Sequence, residues 1–134
     1  MVVNETRLKA VTYSYEKARG ISYGEPFESW LKDSDIESLS PEKIVKDIMN
    51  FIDENLDSEN ILVPSAIFTL GKKHDAGLKN YLIEIMKKSL NSNKLACYQA
   101  AIAVENLGEW IFLEDTSSHD VENNKIQIEI FLNQ

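Results

Sequence analysis

Residues 40–56 read SPEKIVKDIMNFIDENL, and this stretch decides the fold class. Ser40 followed by Pro41 is typical of a helix start, because serine caps free N–H groups and proline is tolerated at the first helical position. Apolar residues then recur three or four positions apart, which is the spacing of one face of an α-helix. That face consists of Ile44, Val45, Ile48, Ile52 and Leu56. The stretch therefore predicts one amphipathic helix.

The same spacing recurs along most of the chain. It predicts a helix over residues 4–19, and Pro26 is expected to open a short helix that carries Phe27, Trp30 and Leu31. The other apolar stripes are Leu8, Val11, Tyr15 and Ala18; Leu62, Ala66 and Leu70; Leu78, Leu82, Ile85 and Met86; and Ala100, Ala103 and Leu107. The pattern indicates a mostly helical chain with short connections.

Glycines and short polar residues mark the predicted helix ends. Gly71 and Gly108 each follow an apolar run, and we expect both to adopt the left-handed conformation that closes a helix. Asp75 is expected to cap the helix that follows it, and Asn91 or Ser92 the next one.

Residues 41–108 contain two similar helix pairs. DIM at residues 47–49 recurs as EIM at residues 84–86, and three further residues recur at the same offset of 37. These are Ala66, Leu70 and Gly71, which match Ala103, Leu107 and Gly108. A third, weaker copy begins at IEI, residues 128–130, and implies an 8-residue insertion that the loop at residues 114–120 has room for. A helix-pair unit repeated at this length is typical of an α-solenoid.

In these residues the chain resembles the HEAT-like repeat family, particularly its short-repeat, bilin-lyase-like branch. The resemblance covers residues 41–108 well, residues 118–134 loosely and residues 1–39 not at all. It implies an all-α fold, a small solenoid of antiparallel helix pairs with about six to seven helices. Residues 1–134 then form a single domain, with helix-pair repeats at 41–71 and 78–108 and capping helices in 1–39 and 118–134.

The C-terminal segment allows two predictions. Ile126, Ile128, Ile130 and Leu132 alternate strictly with other residues, which is typical of a half-buried strand. Residues 110–113 are also β-prone, so a C-terminal hairpin is one alternative. The match of IEI to the earlier repeat favours a helix over residues 118–132, and we predict the helix.

Composition restricts the function. The chain has 134 residues and a net charge of −8, which disfavours non-specific binding to nucleic acid and favours a basic partner. A single cysteine, Cys97, excludes an intramolecular disulfide and fits a reducing compartment. No apolar run approaches the length of a membrane span, and residues 1–24 lack the apolar core of a signal peptide. We therefore predict a cytoplasmic protein that does not bind membranes.

Motifs for catalysis or for metal binding are not found in the sequence. There is no Gly-rich phosphate loop, no G-x-S-x-G and no H-E-x-x-H. His74 and His119 fall in predicted loops, and one cysteine with two histidines does not make a typical zinc site. Cys97 is expected to be a small buried thiol; the alternative, a reactive thiolate, needs positive charge such as Lys94 nearby. We predict no enzyme activity, no cofactor and no metal.

The distribution of charge points to a candidate binding site. Residues 25–59 contain eleven acids and three bases, and residues 109–134 contain six acids and one base, whereas the rest of the chain has more bases than acids. Aromatic residues lie among the first group of acids, as expected of an interface for a basic protein. The predicted partner-binding residues are Tyr23, Trp30, Asp33, Asp35, Glu37, Asp53, Glu54, Asp57 and Glu59. Trp30 and its neighbour Phe27 are alternatively core residues at the end of the stack.

These features favour a protein-binding inhibitor. In its most concrete form it is a bacterial immunity protein that covers the basic surface of a nuclease-type toxin, since nucleases need positive charge to hold phosphates. The alternative is a HEAT-like adaptor or assembly factor that binds a protein without inhibiting it. A lyase or glycosylase activity, implied by enzymatic relatives of the repeat, is a third hypothesis. A monomer is expected.

Overall fold

The computed structural model describes residues 1–112 and 121–134. Within these residues the chain forms seven α-helices and two short 3₁₀ helices, and no strand. The α-helices are α1 (Glu5–Ala18), α2 (Phe27–Asp33), α3 (Pro41–Asn55), α4 (Leu62–Gly71), α5 (Lys79–Ser89), α6 (Lys94–Glu105) and α7 (Val121–Leu132). The 3₁₀ helices are Ile36–Ser38 and Ala76–Leu78. The all-α prediction is confirmed.

The helices pack in two rows. α1, α4 and α6 lie side by side in the first row, while α3 packs against α4 and α5 against α6. At the start of the chain, α2 and the first 3₁₀ helix cover α1; at the end, α7 contacts both α5 and α6. Short loops join the members of each pair, so the arrangement is that of a small solenoid-like bundle.

Most residues of the predicted apolar stripes lie in the core, but Ala18, at the end of the α1 stripe, is exposed. Ile44, Ile48 and Ile52 are buried on one face of α3, and removal of such side chains from water is the main force that holds helices together. The Ser40 side chain accepts a hydrogen bond from the Lys43 backbone N–H at 3.1 Å, and Pro41 occupies the first helical position. The predicted start of α3 is therefore confirmed.

Two predicted helix caps differ from those in the structure. Gly108 has a φ of +101°, as predicted, but Gly71 is the last residue of α4 and is not left-handed; His74, with a φ of +53°, makes the turn instead. Asn93, rather than Asn91 or Ser92, caps α6, because its side chain accepts a hydrogen bond from the Ala96 N–H at 3.1 Å.

Gly71 is small for a packing reason. A Cβ atom at this position would lie 2.9 Å from the Cβ of Ala103 on α6, closer than carbon atoms approach in folded proteins. The absence of a side chain therefore allows α4 and α6 to come together. The prediction of a left-handed glycine was wrong because the sequence pattern does not distinguish a glycine that turns the chain from one that admits a neighbouring helix.

The two helix pairs correspond at an offset of 34 residues, as Ile44 does to Leu78. This offset pairs the left-handed His74 with the left-handed Gly108 and superposes buried positions in both helices. The buried pairs are Ile44 and Leu78, Ile48 and Leu82, Ile52 and Met86, Val63 and Cys97, Ala66 and Ala100, Ile67 and Ala101, and Leu70 and Val104. The predicted offset of 37 also pairs buried residues, such as Ala66 with Ala103, but it equates Gly71, inside a helix, with Gly108, in a turn.

The C-terminal segment is helical over Val121–Leu132, so the helix prediction is confirmed and the strand alternative is wrong. Ile128 is buried, whereas Ile126 and Ile130 are exposed on the other side of the helix, which is not the pattern of alternating residues on one strand face. The predicted start at residue 118, the insertion at residues 114–120 and His119 lie outside the described residues.

Candidate protein-binding groove

A groove runs between α1 and α4 and is closed on one side by the segment that leads into α2. The two helices are held together by a hydrogen bond between the hydroxyls of Thr12 and Thr69, at 2.9 Å. Tyr23, Phe27 and Trp30 form the third wall. The cavity has a volume of about 530 Å³. We call it the α1–α4 groove.

Three aromatic rings cluster at one side of the α1–α4 groove. The ring centroids of Tyr13, Tyr23 and Phe27 are 5.2 to 5.7 Å apart, and their planes are tilted by 36° to 44° from one another. Tyr13 is buried, but Tyr23 is 51% exposed and Phe27 is 41% exposed. We call these three residues the ring cluster; two of its members are accessible to a partner.

Carboxylates hold both hydroxyls of the ring cluster. Tyr13 donates a hydrogen bond to Glu28 at 2.8 Å, and Tyr23 donates one to Glu16 at 2.5 Å. The Lys17 ammonium donates to the other Glu28 oxygen at 2.9 Å, and this hydrogen bond, with that of Tyr13, lowers the pKa of Glu28. The bond to Glu16 raises the pKa of Tyr23. Glu28 therefore lies beside the rings in its charged form at neutral pH.

The opposite wall of the α1–α4 groove is apolar. Ile61, which is 85% exposed, and Phe68 project from the start and the outer face of α4. The Lys72 ammonium lies 5.0 Å from the centre of the Phe68 ring. Exposed apolar side chains that gather around a cavity are typical of a protein-docking surface.

The structure brings only part of the predicted site to this groove. Tyr23 and Trp30 line it, and Asp33 follows Trp30 by three residues, so the two are neighbours on the surface of α2. Asp35 has a left-handed φ of +59°, and Glu37 lies in the first 3₁₀ helix, where its charge acts on Lys17 beside the groove. All three acids are exposed.

The second predicted group of acids lies at the other end of α3, which is about 22 Å long. Tyr81 on α5 donates a hydrogen bond to Asp53 at 2.9 Å, so this carboxylate belongs to the second row of helices and not to the groove. Glu54, Asp57 and Glu59 are exposed, and Glu59 lies two residues before Ile61 at the mouth of the groove. The predicted site is thus divided.

Several residues of the groove were not predicted. They are Tyr13, Glu16, Ile61 and Phe68, and Glu28 lies behind them as the acceptor for the Tyr13 hydroxyl. Tyr13 and Glu16 are three residues apart on α1 and lie away from its predicted apolar stripe. Residues at this spacing are neighbours on a helix surface, so an aromatic residue and an acid placed in this way were the one local indication of a binding site. Phe68 follows Tyr13 by more than 50 residues, and no local pattern connects them.

The residues considered for chemistry are placed apart from the groove. Cys97 is buried, its thiol donates to the Met86 carbonyl at 3.5 Å, and burial raises the pKa of that thiol. It is therefore protonated at neutral pH and packs as a small apolar group. Burial, followed by the charges of Arg19 and Lys72, lowers the pKa of His74. In residues 1–112 and 121–134, no three His, Cys, Asp or Glu side chains are arranged to hold a metal ion.

A second cavity, of about 450 Å³, lies between α6 and α7. Leu95, Tyr98 and Ile128 provide apolar walls, and Lys94 and Lys125 are at its edge.

Among the described helices, none has both the length and the apolar character to cross a membrane.

Comparison of the chain with protein-family models, with curated protein sequences and with solved structures finds no match. The resemblance to HEAT-like repeats therefore rests on the sequence pattern.

Proposed function

We propose that this protein is a binding protein that inhibits a basic partner by covering its working surface. The observation that carries the proposal is the α1–α4 groove itself, in which the exposed rings of Tyr23 and Phe27 lie beside the Glu16 carboxylate and face an apolar wall that includes Phe68. Partly exposed aromatic side chains contribute most of the binding energy in many interfaces, since they remove a large area from water at a small cost in side-chain entropy.

The charge of the molecule supports a basic partner. The net charge is −8, and residues 25–59, which include α2 and α3, carry eleven acids against three bases. An acidic surface of this kind accelerates encounter with a basic protein, and salt screens the attraction. The partner is therefore expected to bind faster at low salt.

The most concrete form of the proposal is a bacterial, cytoplasmic immunity protein for a nuclease-type toxin. A nuclease holds phosphates with clustered lysine and arginine, so an acidic protein that occupies the same surface blocks its substrate. The alternative is a HEAT-like adaptor, which binds without inhibiting. A fall in the partner's activity when this protein is added distinguishes the two.

The first experiment is affinity capture from the native cells at low and at high salt, followed by purification of the captured protein. We expect a stoichiometric basic partner that is lost at high salt and whose activity, assayed as nucleic-acid cleavage for a nuclease, falls in proportion to the amount of this protein added. A partner that is retained at high salt and keeps its full activity would instead establish an adaptor.

Charge reversal tests the acidic surface. Replacement of Asp33, Asp35 and Glu37 by lysine is expected to weaken binding by at least about tenfold at low salt and to flatten its salt dependence, because the attraction is electrostatic. An equal affinity before and after reversal would exclude this group of acids from the interface.

A matched control and a groove variant complete the test. Glu84 on α5 and Glu122 and Glu129 on α7 are outside both the groove and the predicted binding residues, and their replacement by lysine changes the net charge equally. We expect a smaller loss of affinity than for the reversal beside α2. Phe68→Ala should weaken binding, whereas Leu95→Ala, at an exposed site on α6 outside the groove, should not.

A further inference from the structure

The ring cluster has the composition of a site for one organic cation. Its three centroids are at most 5.7 Å apart, so a single cation above them lies within about 6 Å of all three, the range over which ring faces attract positive charge. The cluster lines the α1–α4 groove, and Tyr23 and Phe27 are accessible from it. A ligand can therefore reach these rings.

Two carboxylates strengthen this site. The hydroxyls of Tyr13 and Tyr23 donate to Glu28 and Glu16, so negative charge lies next to both rings. Lys17 forms an ion pair with Glu28. Glu16, which accepts a hydrogen bond from Tyr23, is therefore the carboxylate that can pair with a cation from outside. A cation over the rings is attracted both by the ring faces and by this carboxylate.

Two lysines of the chain lie over rings outside the cluster, and Lys17, which lies beside the cluster, is paired with Glu28. In the part of the chain that the structure describes, Lys72 lies over Phe68 and Lys73 lies over Tyr15, at 5.0 and 5.3 Å from the ring centres. Neither contacts the ring cluster, whose members are Tyr13, Tyr23 and Phe27. The cation that this cluster attracts is therefore one that a partner supplies.

We infer that the ring cluster binds the guanidinium of an arginine side chain presented by the basic partner. The inference rests on the proposed function and names the group that is recognised. Arginine is expected in preference to lysine, because the guanidinium is planar, stacks on aromatic faces and gives up its hydration more easily than an ammonium. The carboxylate of Glu16 then pairs with its N–H groups.

The test uses capped glycine pentapeptides with arginine, citrulline or lysine at the centre, titrated into the ¹⁵N-labelled protein and followed by NMR chemical shifts. Citrulline has the shape of arginine but no charge. We expect the arginine peptide to bind about fivefold or more tightly than the citrulline peptide, with the shifts concentrated at residues 13–28. Equal affinity for these two peptides, or tighter binding of the lysine peptide, would overturn the inference.

Two variants separate recognition by the rings from general apolar contact. Tyr23→Leu keeps an apolar side chain but removes the aromatic face together with the hydroxyl that donates to Glu16, and it is expected to reduce the preference for arginine over citrulline. Phe112→Leu is the matched control, since Phe112 packs 5.7 Å from Tyr98 in a separate aromatic pair. Thermal unfolding checks that both variants fold. A preference as large in Tyr23→Leu as in the wild type would contradict the assignment.

The result is independent of the partner experiment. If a basic partner is captured and inhibited while the peptides show no preference for arginine, the proposed function stands and the ring cluster is not its recognition site. If the arginine preference is found but no basic protein is bound, the cation site stands and the proposed inhibitor function fails.

Discussion

Gly71 allows α4 and α6 to pack closely because it has no side chain. In an exposed helix interior, Gly→Ala stabilises by about 1 kcal/mol, because alanine restricts the unfolded chain. At this position the added Cβ would overlap the Cβ of Ala103. We therefore expect Gly71→Ala to lower the free energy of unfolding by about 1–3 kcal/mol, as overpacking does, measured by urea denaturation.

A double-mutant cycle identifies the cause. Ala103→Gly removes the atom that the new methyl group would meet, so the two substitutions together should destabilise by less than the sum of the single effects. A Gly71→Ala protein that is more stable than the wild type would show that α4 and α6 separate without cost.

Tyr15 carries a buried hydroxyl for which the structure gives no hydrogen-bond partner. Burial, followed by the charge of Asp75, raises its pKa to about 12. Because the unfolded tyrosine ionises near pH 10, the folded state holds this proton more tightly between about pH 10 and 12. Its contribution to stability is therefore complete below about pH 10 and is lost as the pH rises toward 12.

Tyr15→Phe removes this titration and the unpaired hydroxyl. We expect the variant to be at least as stable as the wild type at pH 7, since no hydrogen bond is lost, and to lose less stability between about pH 10 and 12. Thermal denaturation at a series of pH values measures both effects. Identical alkaline profiles for the two proteins would show that Tyr15 ionises normally.

At the scale of elements, α7 shows which part of a sequence pattern is ambiguous. Ile126, Ile128 and Ile130 alternate, but in the helix Ile128 is 3% exposed while the other two are 55% and 53% exposed. In a strand all three would lie on one face and respond alike to substitution. We expect Ile128→Ala to cost about 2–4 kcal/mol and Ile126→Ala or Ile130→Ala less than about 0.5 kcal/mol, by chemical denaturation.

Equal losses at the three positions would instead place them on one face and contradict the helix.

The helix could be preferred from the sequence because the IEI segment matches part of α5. Helix starts were less predictable: Ser40 caps α3 as expected, but Asn93 rather than Asn91 or Ser92 caps α6. Several neighbouring residues are good caps, and the packing of the helix decides which one is used.

At the scale of the whole molecule, concentrated negative charge opposes folding. The net charge is −8, and the acids crowd in residues 25–59. An increase in sodium chloride from about 10 mM to about 150 mM shortens the Debye length from about 30 Å to about 8 Å, and self-repulsion then weakens. We expect the melting temperature to rise over this range.

The lysine variant at Asp33, Asp35 and Glu37 provides the control for this effect. Each reversal removes one negative charge and adds one positive charge, so self-repulsion is smaller and the melting temperature should depend less on salt. A wild-type protein whose melting temperature falls with salt would show that ion pairs, such as that of Lys17 with Glu28, outweigh the repulsion.

The sequence predicted those residues of the candidate site that lie in one segment, but it did not predict which other helices complete the site. Tyr23 and Trp30 were identified because aromatic residues stand among acids in residues 23–37. Phe68 could not be, because it belongs to the groove only when α4 docks on α1. Asp53 was predicted to bind the partner because it is acidic, but in the structure its carboxylate accepts a hydrogen bond from Tyr81.

The sequence by itself determined that the chain is helical, where most helices lie and which faces of α3 and α5 are buried, because periodicity and caps act within one helix and over a few residues. Only the tertiary structure decided which buried faces meet. Thr12 and Thr69 bond across 57 positions of the chain, and Gly71 admits Ala103. A buried position favours an apolar or small residue whichever element packs against it. The sequence pattern therefore indicates that a face is covered but not which element covers it.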